Sequence, residues 1–447
     1  MLVCCRSIWK MNWILLNIVI LLQGLILMKK PKEIKIAIIG GGASGIFSSL
    51  RCAEVAKENN IKVDIRVFEA SKNFLKKVKI SGGGRCNVTH HVFEPKNLCL
   101  NYPRGKKELL SPFIKFQAFD TVKWFKDRGV ELKYEEDGRM FPITNDSETI
   151  IDCFMKETEK YKIKLLNQSK IESITKLNDG KLSLSINEDE EFLADSVLIA
   201  TGSMPSGYRL AKTLGHSVTE IAPSLFTFKI EDSILENLSG TSFPNSSLTL
   251  KIKDSKEFYQ KGPLLITHWG LSGPALLKLS AWAAREMMRT NYKATIIVNW
   301  LGIEQEKEVE ILLNEIKKNN TKVNIAKAYP RELTKRFWVQ LLMKSEVAKE
   351  KNWSDISKKE MKKIITNLYS CELSILRKSR FKEEFVECGG INLKEINFKT
   401  MESKICPGLY FSGEVMDVDG ITGGFNFQNA WTSGWIAGSH MPLKKDI

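Results

Sequence analysis

The sequence predicts an α/β protein: a Rossmann-like dinucleotide-binding domain split by an inserted β-rich domain that carries a helical subdomain. Three observations predict it. The short apolar run Ile34–Ile39 enters the glycine turn Gly40-Gly41-Gly42-Ala43-Ser44-Gly45, and a helix opens within that turn. A second strand, Val63–Phe68, ends in the acid Glu69. A second glycine-rich, strand-to-helix block comes only at 408–438, so the long middle reads as an insertion.

The composition allows this. A chain of 447 residues is expected to hold two or three domains. With 43% hydrophobic and 27% charged residues it can bury a sizeable core, which excludes a mainly disordered or fibrous protein. Nine cysteines, no CxxC and no Cys/His cluster argue against a disulfide scaffold and against structural zinc, and for a reducing compartment; no metal is expected. Lys+Arg 67 against Asp+Glu 52 leaves a net charge of +15. Such a charge suits an anionic partner, but the lysines are spread along the chain and no element carries a basic stripe with interleaved aromatics. A small-molecule substrate is therefore expected over a nucleic acid, which is kept as the alternative. Oligomeric state is left open.

Residues 1–28 stand apart. Trp13 to Met28 is an uncharged, mostly apolar stretch of 16 residues, short of the ~20 that a spanning helix needs. Arg6 and Lys10 precede it as in a signal peptide, yet no small-x-small cleavage site follows. Met28 is expected to be the true start; the alternative is a short membrane anchor through residues 13–28. The expected location is accordingly cytoplasmic, or membrane-anchored if that segment is real.

At the first strand the chemistry begins. Gly40 permits the tight turn, Gly42 lets backbone approach a pyrophosphate, and Gly45 lets helix and strand pack closely. Ile46, Leu50 and Ala53 then recur at helical spacing, so a helix N-terminus faces the phosphates with unpaired N–H groups. A carboxylate at Glu69 can accept hydrogen bonds from a ribose diol. Next, Ser81-Gly82-Gly83-Gly84-Arg85-Cys86-Asn87-Val88-Thr89 offers backbone that can lie flat against a planar ring or a phosphate. Asp195 to Gly202 reads as a buried strand ending in the small residues Ala200, Thr201 and Gly202. Gly423 and Gly424 precede a last helix of small and apolar residues, a second dipole aimed at a ligand.

Between these blocks, Leu248–Ile252 and Thr295–Val298 read as strands. Val309, Leu312, Leu313 and Ile316 mark an amphipathic helix. The lysine-rich stretch 344–363 reads as a solvated helical face. The expected organisation is 33–207 and 376–440 for the two parts of the dinucleotide-binding domain, and 208–375 for the insert, with its helical subdomain at about 302–365.

These motifs, GGGASG, SGGGRCNVT, EEDGRMFPIT (135–144), THWGLSGPALL (267–277) and GLYFSGEVMDVDGITGGFNFQNAW, resemble those of a known family. The chain is similar, from about residue 33 to 440, to the FAD-dependent oxidoreductases of the BaiN/RdsA type, which take in aminoacetone-oxidase-like flavoproteins. The resemblance implies a glutathione-reductase-like domain holding non-covalent FAD, with hydride passing through flavin N5. An unidentified small-molecule substrate is expected, and the electron donor is left open between NAD(P)H, binding transiently over the flavin, and the substrate itself, with oxygen as acceptor. A flavin-dependent RNA-modifying enzyme and a non-catalytic flavin-binding protein are the alternatives.

Carried onto this sequence, the resemblance makes Gly40, Gly42, Ala43, Ser44 and Gly45 the pyrophosphate turn and Glu69 the ribose partner. Ser81, Gly83, Gly84, Arg85, Cys86, Asn87 and Thr89 become the flavin-side loop. Ala200, Thr201 and Gly202 end the second FAD strand. Gly413, Glu414, Asp417, Gly423, Gly424, Phe425, Asn426 and Gln428 close over the ribityl chain and pyrimidine ring. One departure concerns the substrate side: only Ser203-Met204-Pro205-Ser206 separates Gly202 from Gly207-Tyr208, where the family has a longer glycine-rich stretch. For catalysis, His268 is a candidate proton donor and Arg85 a candidate cation beside reduced flavin or substrate. For both, a structural role is the competing reading. Cys86 lacks a partner thiol nearby and reads as a packed small residue.

Overall fold

The computed structural model describes residues 33–378 and 386–443. The hydrophobic segment 13–28 and the start assigned to Met28 lie outside the described residues. Strand β1 (Ile34–Ile39) leads into helix α1 (Ala43–Glu58) and strand β2 (Val63–Phe68). Further on come β3 (Lys164–Leu166), β4 (Ser196–Ile199) and helix α2 (Pro205–Thr213). The alternation of a fully buried apolar strand with an amphipathic helix is the pattern that only a parallel sheet covered on both faces accommodates.

The second sheet begins at β5 (Phe228–Lys229) and continues through β6 (Ser242–Lys251), β7 (Phe258–Thr267) and β8 (Gly270–Ser272). Helices α3 (Pro274–Trp282) and α4 (Ala284–Arg289) precede β9 (Ala294–Asn299). Three helices follow: α5 (Glu306–Asn319), α6 (Lys335–Lys344) and α7 (Lys358–Tyr369). In α7, Ser357 caps Glu360 reciprocally, the box that starts a helix. Its lysines 358, 359, 362 and 363 are not buried, while Met361, Ile364, Ile365 and Leu368 are. Strands β10 (Cys371–Ile375) and β11 (Arg377–Lys378) complete this antiparallel sheet, whose order is β10-β9-β6-β7-β8-β5-β11.

The chain then returns to the first sheet as β12 (Ile396–Asn397), β13 (Glu402–Ser403) and β14 (Leu409–Phe411), and ends in helix α8 (Phe425–His440). The first sheet reads β12-β13-β14-β4-β1-β2-β3, and the five strands from β14 to β3 are parallel. The expected domain boundaries shift slightly. Position 208 falls inside α2, whose Tyr208, Leu210 and Ala211 pack into the first core, while the second sheet runs from Phe228 to Lys378.

Each sheet has its own core. Ile36, Ile38, Phe47, Val197, Phe411 and Trp431 belong to the first. Leu250, Ile296, Leu373, Phe337, Trp338 and Trp353 belong to the second. Trp282 of α3 packs against both. Seven cysteines among the described residues are buried and free. No helix among the described residues is long and apolar enough to cross a membrane.

Candidate functional site

The three glycines of the first turn do different physical work. Gly40 has φ +107°, and a Cβ there would lie 2.5 Å from the Ala200 carbonyl oxygen. At Gly45 a Cβ would lie 2.0 Å from the Gly40 carbonyl oxygen, so strand and helix can meet only through glycine. At Gly42 a Cβ would meet nothing within 4 Å. That position is open, and it is the N-cap of α1, where the first N–H groups of the helix have no partner in the helix. Glu69 braces the turn: Oε2 accepts from Gly41 N–H at 2.9 Å, and Oε1 from the Ser71 N–H at 2.8 Å and hydroxyl at 2.6 Å.

Helices α1 and α8 run side by side. Cβ atoms on Gly434 and Gly438 would lie 2.8 Å from the Ser44 carbonyl oxygen and 2.5 Å from that of Ser48. Both contacts advance together along the two chains, so the helices are parallel. Because α8 is capped at Gly424, ten residues before this crossing, and α1 at Gly42, two before it, the N-terminus of α8 projects about 12 Å beyond that of α1. Two positive helix ends thus point the same way, staggered along one side of the fold.

The flavin-side loop lies by the second helix end. Gly82, Gly83 and Gly84 have φ of +58°, +69° and +87°, and Cβ atoms on Gly83 and Gly84 would meet nothing within 4 Å. Asn87 fixes this loop to α8: its amide donates to the Thr89 carbonyl at 3.0 Å and accepts from Gly424 N–H at 2.9 Å. Ser81 donates to the Val78 carbonyl at 2.9 Å. Cys86 is fully buried, and burial pushes its thiol up to about 12 despite the Ser81 hydrogen bond, so it is no thiolate near neutral pH. The Arg85 guanidinium is committed locally, 2.6 Å from Glu135 Oε1 and 4.0 Å over the Phe141 ring.

Other predicted residues are likewise engaged. Thr89 and Thr121 both donate to Gln428 Oε1, at 2.6 and 2.9 Å, inside the core. Asn426 clamps Gly420 through both ends of its amide, at 2.8 and 2.9 Å. Glu414 pairs with Lys77 at 2.7 Å and accepts from Glu387 N–H at 3.2 Å. Both oxygens of Asp417 are held at 2.8 Å by Arg285, a residue of α4, so its carboxylate ties the two sheets together. Ser44 donates to Ser412 at 2.7 Å, beneath Gly413. Thr201 carries a buried hydroxyl with no partner in the protein, packed against Gly207 of α2.

His268 occupies the two-residue turn between β7 and β8. It is exposed, with its ring edge-on to Trp269 at 4.2 Å. His90, which no motif singled out, sits within the site: it stacks on Phe425 at 4.6 Å, and its Nε2 lies 3.0 Å from the Asp137 carbonyl oxygen. Burial lowers its basicity. Arg104 and Arg285 were also missed. Neither lies in a recognisable pattern, because the carboxylates they meet are far away in sequence. Among the described residues no three His, Cys, Asp or Glu side chains are grouped to hold a metal ion.

A parallel sheet whose first turn leaves Gly42 open, and a second open glycine face at Gly83 and Gly84 near another helix N-terminus, define a dinucleotide-binding fold of the flavoenzyme kind. The model of the family described as HI0933-like protein Rossmann domain matches residues 34–440, and the chain belongs to that family, the BaiN/RdsA-type FAD-dependent oxidoreductases. It is 30% identical over 412 residues to a ribosomal RNA dihydrouridine synthase of Haemophilus influenzae, covering 89% of this chain and 96% of that one. It is 27% identical to the protein of the same name in Escherichia coli, covering 91% and 98%. To the 3-dehydro-bile acid delta(4,6)-reductase of Clostridium scindens it is 24% identical, covering 90% and 98%.

Proposed function

We propose that this chain is an FAD-dependent reductase of a carbon–carbon double bond conjugated to a carbonyl, and that its substrate is a uracil base of RNA. The observation that carries the cofactor half is the open pair of glycine faces, Gly42 against a pyrophosphate and Gly83-Gly84 against a planar ring. When bound, FAD supplies the hydride at N5, with NAD(P)H as the reductant that recharges it.

The reaction half rests on relatives. Saturating a uridine and reducing a delta(4,6) bile-acid double bond are one chemistry: hydride adds to the carbon β to a carbonyl, and a proton to the α carbon. The residues of this chain then have divided tasks. The N-termini of α1 and α8 stabilise negative charge. Arg85, held by Glu135 and Phe141, keeps the glycine face in place. His268, exposed on its turn, is the proposed proton donor.

Sequence alone favoured a small molecule. The two relatives named for ribosomal RNA, together with the +15 charge, move the proposal to RNA. A small-molecule enone is the second reading, favoured by the bile-acid reductase. The test is anaerobic: reduce the FAD-loaded protein with NADH or NADPH, follow the flavin bands, then add unmodified ribosomal RNA fragments or a steroid enone. Reoxidation by RNA, with dihydrouridine found by mass spectrometry, supports the first reading. Reoxidation by the enone alone moves the assignment to the second. A reducible flavin that neither compound reoxidises sinks both.

A further inference from the structure

The outer face of the second sheet carries a groove of about 500 Å³ whose lining includes Lys251, Lys253, Lys293, Thr295, Ser374 and Leu376, with Ala294 and Ile375 completing it. The strand register explains why these side chains meet. Lys251 of β6 lies opposite Thr295 of β9, which lies opposite Ser374 of β10. The neighbouring rung, Leu250–Ile296–Leu373, points the other way and is buried in the second core. With a side-chain period of two, Lys251, Thr295 and Ser374 must therefore face outward together. Lys293 and Leu376 stand two residues from Thr295 and Ser374, just beyond the ends of β9 and β10, and Lys253 joins them from the loop after β6.

Three lysines around one groove repel each other. One weak ion pair offsets this: Glu257 lies 3.7 Å from Lys251. No ion pair holds Lys253 or Lys293 among the described residues. The hydroxyls of Thr295 and Ser374 add donors between the cations, and Leu376, 43% exposed, adds an apolar rim. Cations and hydroxyl donors beside an apolar rim are the complement of a sugar–phosphate backbone with its ribose.

We infer that this groove is a docking surface for the phosphodiester backbone of the RNA substrate, outside the flavin site. The inference rests on the RNA reading proposed above. The experiment measures binding of a fluorescently labelled, uridine-containing RNA hairpin to the full FAD-loaded chain across a salt series. The wild type is compared with a K251Q/K253Q/K293Q variant and with a K251R/K253R/K293R variant.

Removing three phosphate-facing charges is expected to lower the slope of log affinity against log salt by about 2 to 3, and affinity at 0.1 M salt by roughly a hundredfold. The arginine variant should bind as the wild type does, and flavin content and melting should be unchanged in both. Wild-type slope and affinity in the glutamine variant would overturn the groove while leaving the RNA reading intact. A wild type with no salt-dependent RNA binding would overturn that reading and the groove with it. If the glutamine variant also loses flavin or fold, the arginine variant decides, and weak binding by a well-folded arginine variant counts against the groove. Wild-type binding to phosphatidylserine vesicles and not to RNA, lost in the glutamine variant, would overturn the RNA assignment.

Discussion

Arg104 and Asp419, 315 residues apart in the chain, form a two-pronged ion pair: Nε lies 2.5 Å from Oδ1 while Nη2 donates to Oδ2. The same guanidinium reaches the Ala281 carbonyl at 2.7 Å and the Ser224 hydroxyl at 3.0 Å. One side chain thus joins the loop after the last parallel strand to α3 and to the connector before β5. The Asp419 side chain is fully buried, and that of Arg104 is 12% exposed. With Arg285–Asp417 alongside, the second sheet is fastened to the first by buried charge.

Breaking that fastening is expected to be costly. Arg104→Ala leaves a buried carboxylate without its cation, a change worth about 3–5 kcal/mol. Urea denaturation should show a large drop in midpoint for this variant. An apolar replacement of both residues, Arg104→Met with Asp419→Leu, should recover much of it, because the stranded charge is gone. Equal losses in the single and double variants would show that the pair is not what matters.

The glycine turn separates ligand binding from folding. Gly42→Val places its side chain in open space, so the apoprotein should melt as the wild type does while FAD affinity falls by roughly a hundredfold or more, ~2.7 kcal/mol. Gly45→Ala should do the reverse: its Cβ is forced onto the Gly40 carbonyl, and overpacking of this kind costs about 1–3 kcal/mol. Flavin fluorescence titration alongside thermal melting distinguishes the two. A Gly42→Val protein that binds FAD normally would remove the pyrophosphate assignment.

His268→Ala is expected to retain flavin and to slow substrate-driven reoxidation by ~10²–10⁴-fold, the usual value of a general acid. Arg85→Ala should instead weaken FAD binding, since Arg85 holds the loop through Glu135 and Phe141. Stopped-flow absorbance measures the first and equilibrium titration the second. Wild-type reoxidation by His268→Ala would place the acid elsewhere.

Stability should depend on pH through the buried His216 and the half-buried His90. Burial pulls His90 and His216 below their ordinary value, against the opposing pulls of the Asp137 carbonyl and Glu395. As pH falls through ~6.5 the unfolded chain binds protons that the folded state refuses, so stability declines towards acid. His216 also holds Ser403 at 2.8 Å, a contact that glutamine can keep. Denaturation midpoints between about pH 7.5 and 5.5 should fall less steeply for His216→Gln. An unchanged slope would clear His216 of the effect.

The sequence by itself determined what neighbouring residues control. The apolar run of β1, the conformations demanded at Gly40 and Gly45, and the helical spacing after them are local, so the Rossmann turn and the family could be read directly. The interrupted second half of the dinucleotide fold was also legible, because its glycine block recurs at 408–438. What each polar side chain touches was decided only by the tertiary structure. Asp417 meets Arg285, and Gln428 meets Thr89 and Thr121, partners that no local pattern announces. Arg104 and His90 carried no sequence signal at all. The physical reason is range: backbone conformation and side-chain periodicity are set within a few residues, whereas a hydrogen bond or ion pair is set by whichever group the fold brings within about 3 Å, here from hundreds of residues away.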